Sequence, residues 1–370
     1  MGKIRDYYLK KIGTCGEITA LRAARAAPFN EKAASRELKS MIEDDLLHYY
    51  RSKDGVRTYR LSDPRGYEEL EKISPALLQH AQMLVGEKGR RYPGNAKIRA
   101  KKIRDAAVVS MMIDAGLTVD GIDITDDTVF EKSTEYSEVI RSRRNGEAFY
   151  LSGALLKKPE GEDFHTRREL TTASGLLVSP GGIYQTYAPA TEKIRFRPII
   201  DAEIIAQTKR LCEKHGVLDE DSDTRQKAIL YPSRTSVAVE IQAKQHIQSI
   251  LNPTSTYKMC YLAPRDQNPG DITRMLIVND WFFKANAVLG LSGDSGHDGK
   301  APDGRPIHNL LCCNMGKIEE LRYQIENNTA VFVVHDWQKD LIETAYEAEI
   351  DAIIMNETQF RGLVKFVEEK

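Results

Sequence analysis

Residues 30–61 read NEKAASRELKSMIEDDLLHYYRSKDGVRTYRL, and the architecture of the first part of the chain turns on them. The first half has a helical period. Ala34, Leu38, Met41 and Ile42 share one face, and Asn30 stands where an N-cap side chain accepts a backbone N–H. Lys32, Ser35, Arg36 and Lys39 fall on the opposite face. The second half reads as two short strands around Lys53-Asp54-Gly55, and Asp-Gly between β-rich runs predicts a hairpin turn. That hairpin carries Arg51, Lys53, Arg57 and Arg60 together with Tyr49, Tyr50 and Tyr59.

The residues before this stretch predict two more helices. Residues 3–12 place Ile4, Tyr8 and Ile12 on one side, and Gly13-Thr14-Cys15-Gly16 is expected to break that helix. Thr14 with Glu17 three residues later has capping-box spacing, which predicts a second helix from Glu17 to about Ala26. Pro28 disfavours helix in the residue before it and ends that segment. Helix, helix, third helix and basic hairpin within about 60 residues form the pattern of a winged helix-turn-helix. The plain alternative is an ordinary helix and hairpin with a solvated face; the completed motif favours DNA binding. Lys32, Ser35, Arg36 and Lys39 are then the candidate major-groove contacts, and Arg51, Lys53, Arg57 and Arg60 the candidate contacts to the flanking backbone or minor groove.

Charge follows the same division. The net charge is −1, yet residues 1–104 carry 23 Lys and Arg against 13 Asp and Glu, and the remainder carries 30 against 41. A basic first third (+10) joined to an acidic remainder (−11) is the footprint of a module that meets phosphate, tethered to a partner domain with another task. The most basic stretch is 88–104, with Arg90, Arg91, Lys97, Lys101 and Lys102 as candidate phosphate contacts. A helix is expected from Asn95 to Gly116; a connector with a solvated face and an amphipathic dimerisation helix are the competing readings.

A hydrophobic content of 41% supports a sizeable core, and no run of about 18 apolar residues exists to span a membrane. Five cysteines, an odd number without a CxxC pair, fit a reduced cytoplasm better than a disulfide scaffold or a zinc finger.

The expected fold class is α/β, with three domains. A winged helix-turn-helix spans 1–65, a basic helical connector 66–118, and an α/β domain 119–370. The α/β domain has a hairpin-rich part, 119–200, and an alternating strand–helix part, 201–370. Within 66–118, residues 66–86 read as helix through Leu70, Ile73, Leu77, Leu78, Ala81 and Leu84. Pro180-Gly181-Gly182 between β-rich runs predicts an antiparallel hairpin at a sheet edge. From 199 the expected order is helix 201–214, strand 227–231, helix 235–250, strand 257–262, helix 270–288 and strand 308–313. Helix 316–327, strand 330–334, helix 337–348, strand 351–354 and helix 357–368 complete it. This alternation predicts one largely parallel sheet covered by helices.

Catalytic signals are thinner. No GxxxxGK[ST] occurs and no GxGxxG follows a strand. The glycine-rich run from Gly290 reads as a surface loop, with Asp294, His297, Asp298 and Asp303 as a weaker cation-binding alternative. Sites in open α/β sheets lie beyond the carboxyl ends of the strands. Ser233, Arg234, Arg265, Asp266, His335 and Asp336 hold such positions, although loops are polar for ordinary reasons too. Asp266, His335 and Asp336 are the candidate catalytic residues if the domain is a nuclease or mobilisation enzyme, which would require Mg2+; otherwise no cofactor is expected. The His-x-His of a relaxase and the Arg…His-x-x-Arg…Tyr series of a tyrosine recombinase are both absent.

The segment from Tyr7-Tyr8-Leu9 to Leu61 resembles the winged-helix DNA-binding domains of bacterial regulators and of plasmid or mobile-element replication and mobilisation proteins. As a whole the chain loosely resembles the replication-relaxation proteins of such elements. In those, a winged helix precedes an α/β domain with a run similar to Ser174-Gly175-Leu176-Leu177 followed by Tyr184 and Tyr187. The resemblance implies DNA binding and says little about catalysis. The expected protein is a cytoplasmic homodimer of a plasmid, other mobile element or phage that binds double-stranded DNA in replication, mobilisation or transcription, its acidic α/β domain serving oligomerisation, partner binding or a ligand switch.

Overall fold

The computed structural model describes residues 2–20, 23, 28–51, 56–85, 96–125, 135–157, 171–192, 194, 196–218, 227–243, 259–293 and 296–369. By contact the chain divides into two units, residues 1–144 with 149–165 and residues 145–148 with 166–370. The expected boundaries at 65 and 118 both fall inside the first unit. The candidates Lys53, Arg90 and Arg91, the turn at Lys53-Asp54-Gly55 and the cation-site candidate Asp294 lie outside the described residues.

The first unit packs around helix α1 (Lys3–Cys15), whose Tyr8, Leu9 and Ile12 are fully buried. Gly13 does not break this helix. A Cβ there would stand 2.8 Å from Leu70 Cδ2, so glycine serves close helix packing, and the helix ends instead at Gly16 with φ +76°. The expected helix start at Glu17 is also overturned. Ile18 and Thr19 form strand β1 (Ile18–Thr19), paired antiparallel with Tyr59 and Thr58. Thr14 Oγ1 donates back to Lys10 O (2.9 Å), and the Glu17 carboxylate accepts from Thr58 Oγ1. Both halves of the expected capping box are therefore committed elsewhere, and sheet pairing delays the helix rather than replacing it: Ala20 and Ala23 are helical, and residues 21–22 and 24–27 of the expected helix lie outside the described residues.

Helix α2 (Glu31–Glu43) follows, then strands β2 (Leu47–Arg51) and β3 (Arg57–Leu61), which complete a three-stranded sheet in the order β1-β3-β2. The helix expected over 66–86 is two helices, α3 (Arg65–Ile73) and α4 (Pro75–Val85). Ser74 is extended because Pro75 follows it, and its Oγ accepts the Leu77 N–H (3.2 Å) as the cap of α4. Helix α5 (Ala96–Asp114) runs into strand β4 (Thr118–Val119); helix α6 (Tyr136–Arg141), strand β5 (Phe149–Ser152) and helix α7 (Gly153–Lys157) follow, β4 and β5 pairing in parallel. Lys11 on α1, 1% exposed, is tied to Asp114 at the end of α5.

In the second unit β6 (Gly175–Ser179) and β7 (Gly182–Tyr187) form the antiparallel hairpin read from Pro180-Gly181-Gly182. It is no appendage. Strand β7 continues in parallel pairing with β8 (Lys227–Leu230), and β8 with β9 (Met259–Leu262), so β7 is an interior strand rather than an edge. Helices α8 (Pro198–Lys214) and α9 (Thr235–Ala243) punctuate this run.

The alternation from 199 onward builds two sheets, not the single one expected. The second is four-stranded, β10 (Gly299–Lys300), β11 (Pro306–Asn309), β12 (Val331–His335) and β13 (Asp351–Met355), in chain order. β10 and β11 are antiparallel and the rest parallel. The helix expected over 270–288 is split into α10 (Pro269–Ile277) and α11 (Trp281–Val288). The carbonyls needed to continue α10 are captured by the hairpin turn: Tyr184 Oη donates to Leu276 O (2.8 Å) and Gly181 N–H to Ile277 O (3.2 Å). A Cβ on Gly181 would lie 2.4 Å from Leu276 O, so only glycine fits this turn.

Strand β11 ends at Asn309, where the Asn309 Oδ1 accepts the Leu311 N–H (3.1 Å); Leu310–Cys313 is a turn rather than the expected strand. The helix expected over 316–327 is two short ones, α12 (Met315–Glu320) and α13 (Arg322–Glu326). Helices α14 (Asp336–Tyr346) and α15 (Glu357–Glu369) match expectation within a few residues. All five cysteines are buried free thiols.

Candidate nucleic-acid interface

Helix α2 is built as the sequence implies. Asn30 Oδ1 accepts the Lys32 N–H (2.9 Å), which fixes its start. Ala34, Leu38 and Met41 are buried, Ile42 is half-buried, and Lys32, Ser35, Arg36 and Lys39 are all exposed. The acidic residues of α2 are handled separately. Arg5 on α1 donates through Nε to Glu37 Oε1 (2.8 Å) and through Nη2 to Asp44 Oδ2 (2.8 Å), which fastens α2 to α1 and raises the Arg5 pKa, mainly through the Glu37 bond. Lys39 lies 3.7 Å from Glu43, one turn on, with both side chains well exposed; such a pair contributes only about 0.3–0.5 kcal/mol. Lys32, Arg36 and Lys39 are thus exposed on the helix along with Glu31 and Glu43, while Glu37 and the C-cap Asp44 are matched by Arg5.

The hairpin pairs Leu47 with Leu61, His48 with Arg60, Tyr49 with Tyr59, Tyr50 with Thr58 and Arg51 with Arg57. Leu47 and Leu61 are buried, anchoring the base. Tyr49 and Tyr59 pack across the strands at 5.5 Å, and burial raises the Tyr59 pKa. Toward the tip, Arg51 and Arg57 are exposed and stand directly opposite one another. Like charges facing each other across two strands cost stability, so this arrangement suits an anion lying between or along them. Arg60 is half-buried.

The basic start of α5 divides into different roles. Lys97 is exposed. Arg99 places its guanidinium 3.3 Å from the Tyr50 ring centroid and reaches Glu17 Oε1 (3.5 Å), whose side chain is 1% exposed. Lys101 pairs with Asp105 (2.6 Å), and Lys102 donates to Leu84 O (3.0 Å) at the end of α4, where burial lowers its pKa. Lys157 beside Lys101 is pushed down to about 8, first by burial and then by the neighbouring cation. Lys101 and Lys102 therefore hold intramolecular partners. The Glu17–Thr58 and Arg99–Tyr50 contacts, which clasp one face of the hairpin where Tyr50 and Thr58 stand opposite each other, were not singled out from sequence. The sole signal for them was a carboxylate and an arginine flanking a tyrosine-rich hairpin 82 residues apart.

The candidates of the second unit are spread over both of its sheets. Asp266 follows β9 and caps α9, its carboxylate accepting Thr235 N–H (2.9 Å) and Thr235 Oγ1–H (3.0 Å). Arg265 N–H binds Pro232 O (2.9 Å). His335 ends β12 of the other sheet. It is 6% exposed and packs edge-on to Phe360 at 4.3 Å and parallel to Trp337 at 5.9 Å; burial pushes its pKa down to about 4. Its N–H is accepted by Gln338 Oε1 (2.9 Å), so it serves as the cap of α14, and the exposed Asp336 begins that helix. Among the described residues, no three His, Cys, Asp or Glu side chains converge as a group that holds a metal. Also among them, no helix is long and apolar enough to cross a membrane. Comparison with family models, with curated proteins and with solved structures finds no match to this chain.

Proposed function

We propose that the first unit binds double-stranded DNA as a winged helix-turn-helix, in a cytoplasmic homodimer that serves replication, mobilisation or transcription of a plasmid, other mobile element or phage. The observation that carries this reading is the single outward face of α2. Lys32, Ser35, Arg36 and Lys39 are exposed together, opposite the buried Ala34, Leu38 and Met41. The chain order α1, β1, α2, β2, β3, with β1 joined to the hairpin, supports it further. In this reading α2 lies in a major groove. Lys32, Arg36 and Lys39 reach guanine edges or phosphates, and Ser35 meets either a donor or an acceptor. Arg51 and Arg57 meet the sugar-phosphate backbone beside it, with Arg60 and Lys97 near their flanks.

The test is fluorescence anisotropy of the full chain with a duplex library across a salt series. Binding that weakens steeply with salt is expected, and the Lys32→Ala/Arg36→Ala/Lys39→Ala variant should lose both affinity and discrimination between duplexes. No binding at about 50 mM salt, where phosphate attraction is still strong, or binding indifferent to the triple substitution, refutes the reading.

A further inference from the structure

The two edges of the four-stranded sheet are finished differently. Strand β10 is two residues long and carries the exposed Lys300, both devices that keep an edge from pairing further. Strand β13 has none of them. It is five residues long, DAIIM, without Pro, Lys or Gly, and among the described residues it pairs with β12 on one side alone. Its isoleucines are exposed on both faces, Ile353 by 49% and Ile354 by 43%, although an interior-type strand of this composition is normally covered by helices.

The backbone of this edge has a defined parity. In a parallel pair, alternate residues turn their N–H and C=O groups to opposite sides. The Asp351 N–H is accepted by Asn328 Oδ1 (3.2 Å), on the approach to β12. Ile353 and Met355 share that direction, so Ala352 and Ile354 turn their N–H and C=O outward, and they lie symmetrically about Ile353.

We propose that β13 pairs with β13 of a second copy of this chain, antiparallel across a two-fold axis at Ile353, joining two four-stranded sheets into one of eight. Ala352 and Ile354 then exchange N–H and C=O groups with Ile354 and Ala352 of the second copy, and all the outward groups are satisfied. Ile353 packs on itself, and each Ile354 lies beside a small Ala352. The one charge in the strand, Asp351, is held by Arg305 of its own chain (2.7 Å) and faces Met355 across the axis, so no like charges meet. That self-complementarity selects a second copy over an unrelated partner. A five-residue ladder with two isoleucines from each copy sits near the low end of stable interfaces, about 1,000 Å², so a reversible, concentration-dependent dimer is expected. The proposal does not depend on DNA binding.

Sedimentation of the full chain tests it. The unaltered protein should pass from one to two copies as concentration rises to about 100 μM. Ile353→Lys sets two ammonium groups against each other at the axis, and Ile353→Asp sets two carboxylates there. Each variant alone should stay monomeric, and an equimolar mixture should associate as a heterodimer. Ala352→Pro, which removes an outward N–H and leaves the β12 ladder intact, should be monomeric too. Circular dichroism melts confirm that each variant is folded; should Ala352→Pro unfold, the charge-swap mixture decides alone. A monomeric unaltered protein overturns the proposal. Single variants that still dimerise overturn this surface, and a mixture that fails to associate overturns the axis at Ile353.

Discussion

Replacing Arg51 and Arg57 together by Gln should move stability and DNA binding in opposite directions. The two side chains are exposed and directly opposite in the β2–β3 ladder. Cross-strand like charges destabilise by a few tenths of a kcal/mol, so the double variant should gain roughly 0.2–1 kcal/mol in urea unfolding. Binding should suffer. Lys32, Arg36, Lys39, Arg51 and Arg57 are the exposed cations of the proposed face, and if each neutralises one phosphate the slope of log K against log salt is about −4.5. Between 50 and 200 mM salt that slope costs roughly 500-fold in affinity; without the two arginines it falls to about −2.7, or roughly 40-fold. The assay is anisotropy of full-length protein on one duplex at several salt concentrations, beside urea melts of the same preparations. A slope unchanged within about 0.5 refutes phosphate contact by the hairpin tip. A variant less stable than the parent refutes the electrostatic argument, because it would mean that Arg51 and Arg57 support the hairpin rather than strain it.

Two further outcomes follow from buried groups. Arg99→Met removes the guanidinium that stacks on Tyr50 and reaches the buried Glu17; urea unfolding should show a loss of about 1–2 kcal/mol, and a loss under about 0.5 would mean the clasp is ornamental. His335 titrates near 4 in the folded chain against about 6.5 unfolded, so the unfolded chain binds the proton first. Its contribution is complete above pH 6.5, declines as pH falls toward 4, and amounts to about 3 kcal/mol across that window. Unfolding of His335→Phe, which keeps a ring against Phe360, should lack this part of the pH dependence, and identical pH profiles for the two proteins would count against it.

How much of this was legible from sequence depended on whether local signals had distant competitors. The helix from Asn30 and the hairpin from Leu47 to Leu61 were readable because cap, period and turn all agree within 32 residues. The start at Glu17 was misread because a local capping pattern lost to partners far along the chain: Thr58 takes the Glu17 carboxylate and Tyr59 pairs with Ile18. Gly13 looked like a breaker, since nothing nearby reveals that Leu70 presses against it. The split at Val278 has the same origin, for its cause is a hairpin turn almost a hundred residues earlier. Period and propensity revealed that strands and helices alternate after 199; they hold no information on where one sheet stops and another begins. Side-chain roles were the least accessible. Exposure of Lys32 and Arg36 follows from helical period, whereas the commitment of Lys102 to the Leu84 carbonyl requires knowing that α4 ends beside α5.

The five thiols carry a consequence for how this protein ages. All are buried, and burial pushes Cys15, Cys212 and Cys313 up to about 12, with Cys260 and Cys312 raised as well. At neutral pH almost no thiolate exists in the native chain, and oxidants attack the thiolate. Sulfur damage therefore cannot accumulate in proportion to oxidant alone. It waits on transient opening, which exposes Cys15 with the first unit and the other four with the second, so the oxidative lifetime of each unit is set by how often it breathes.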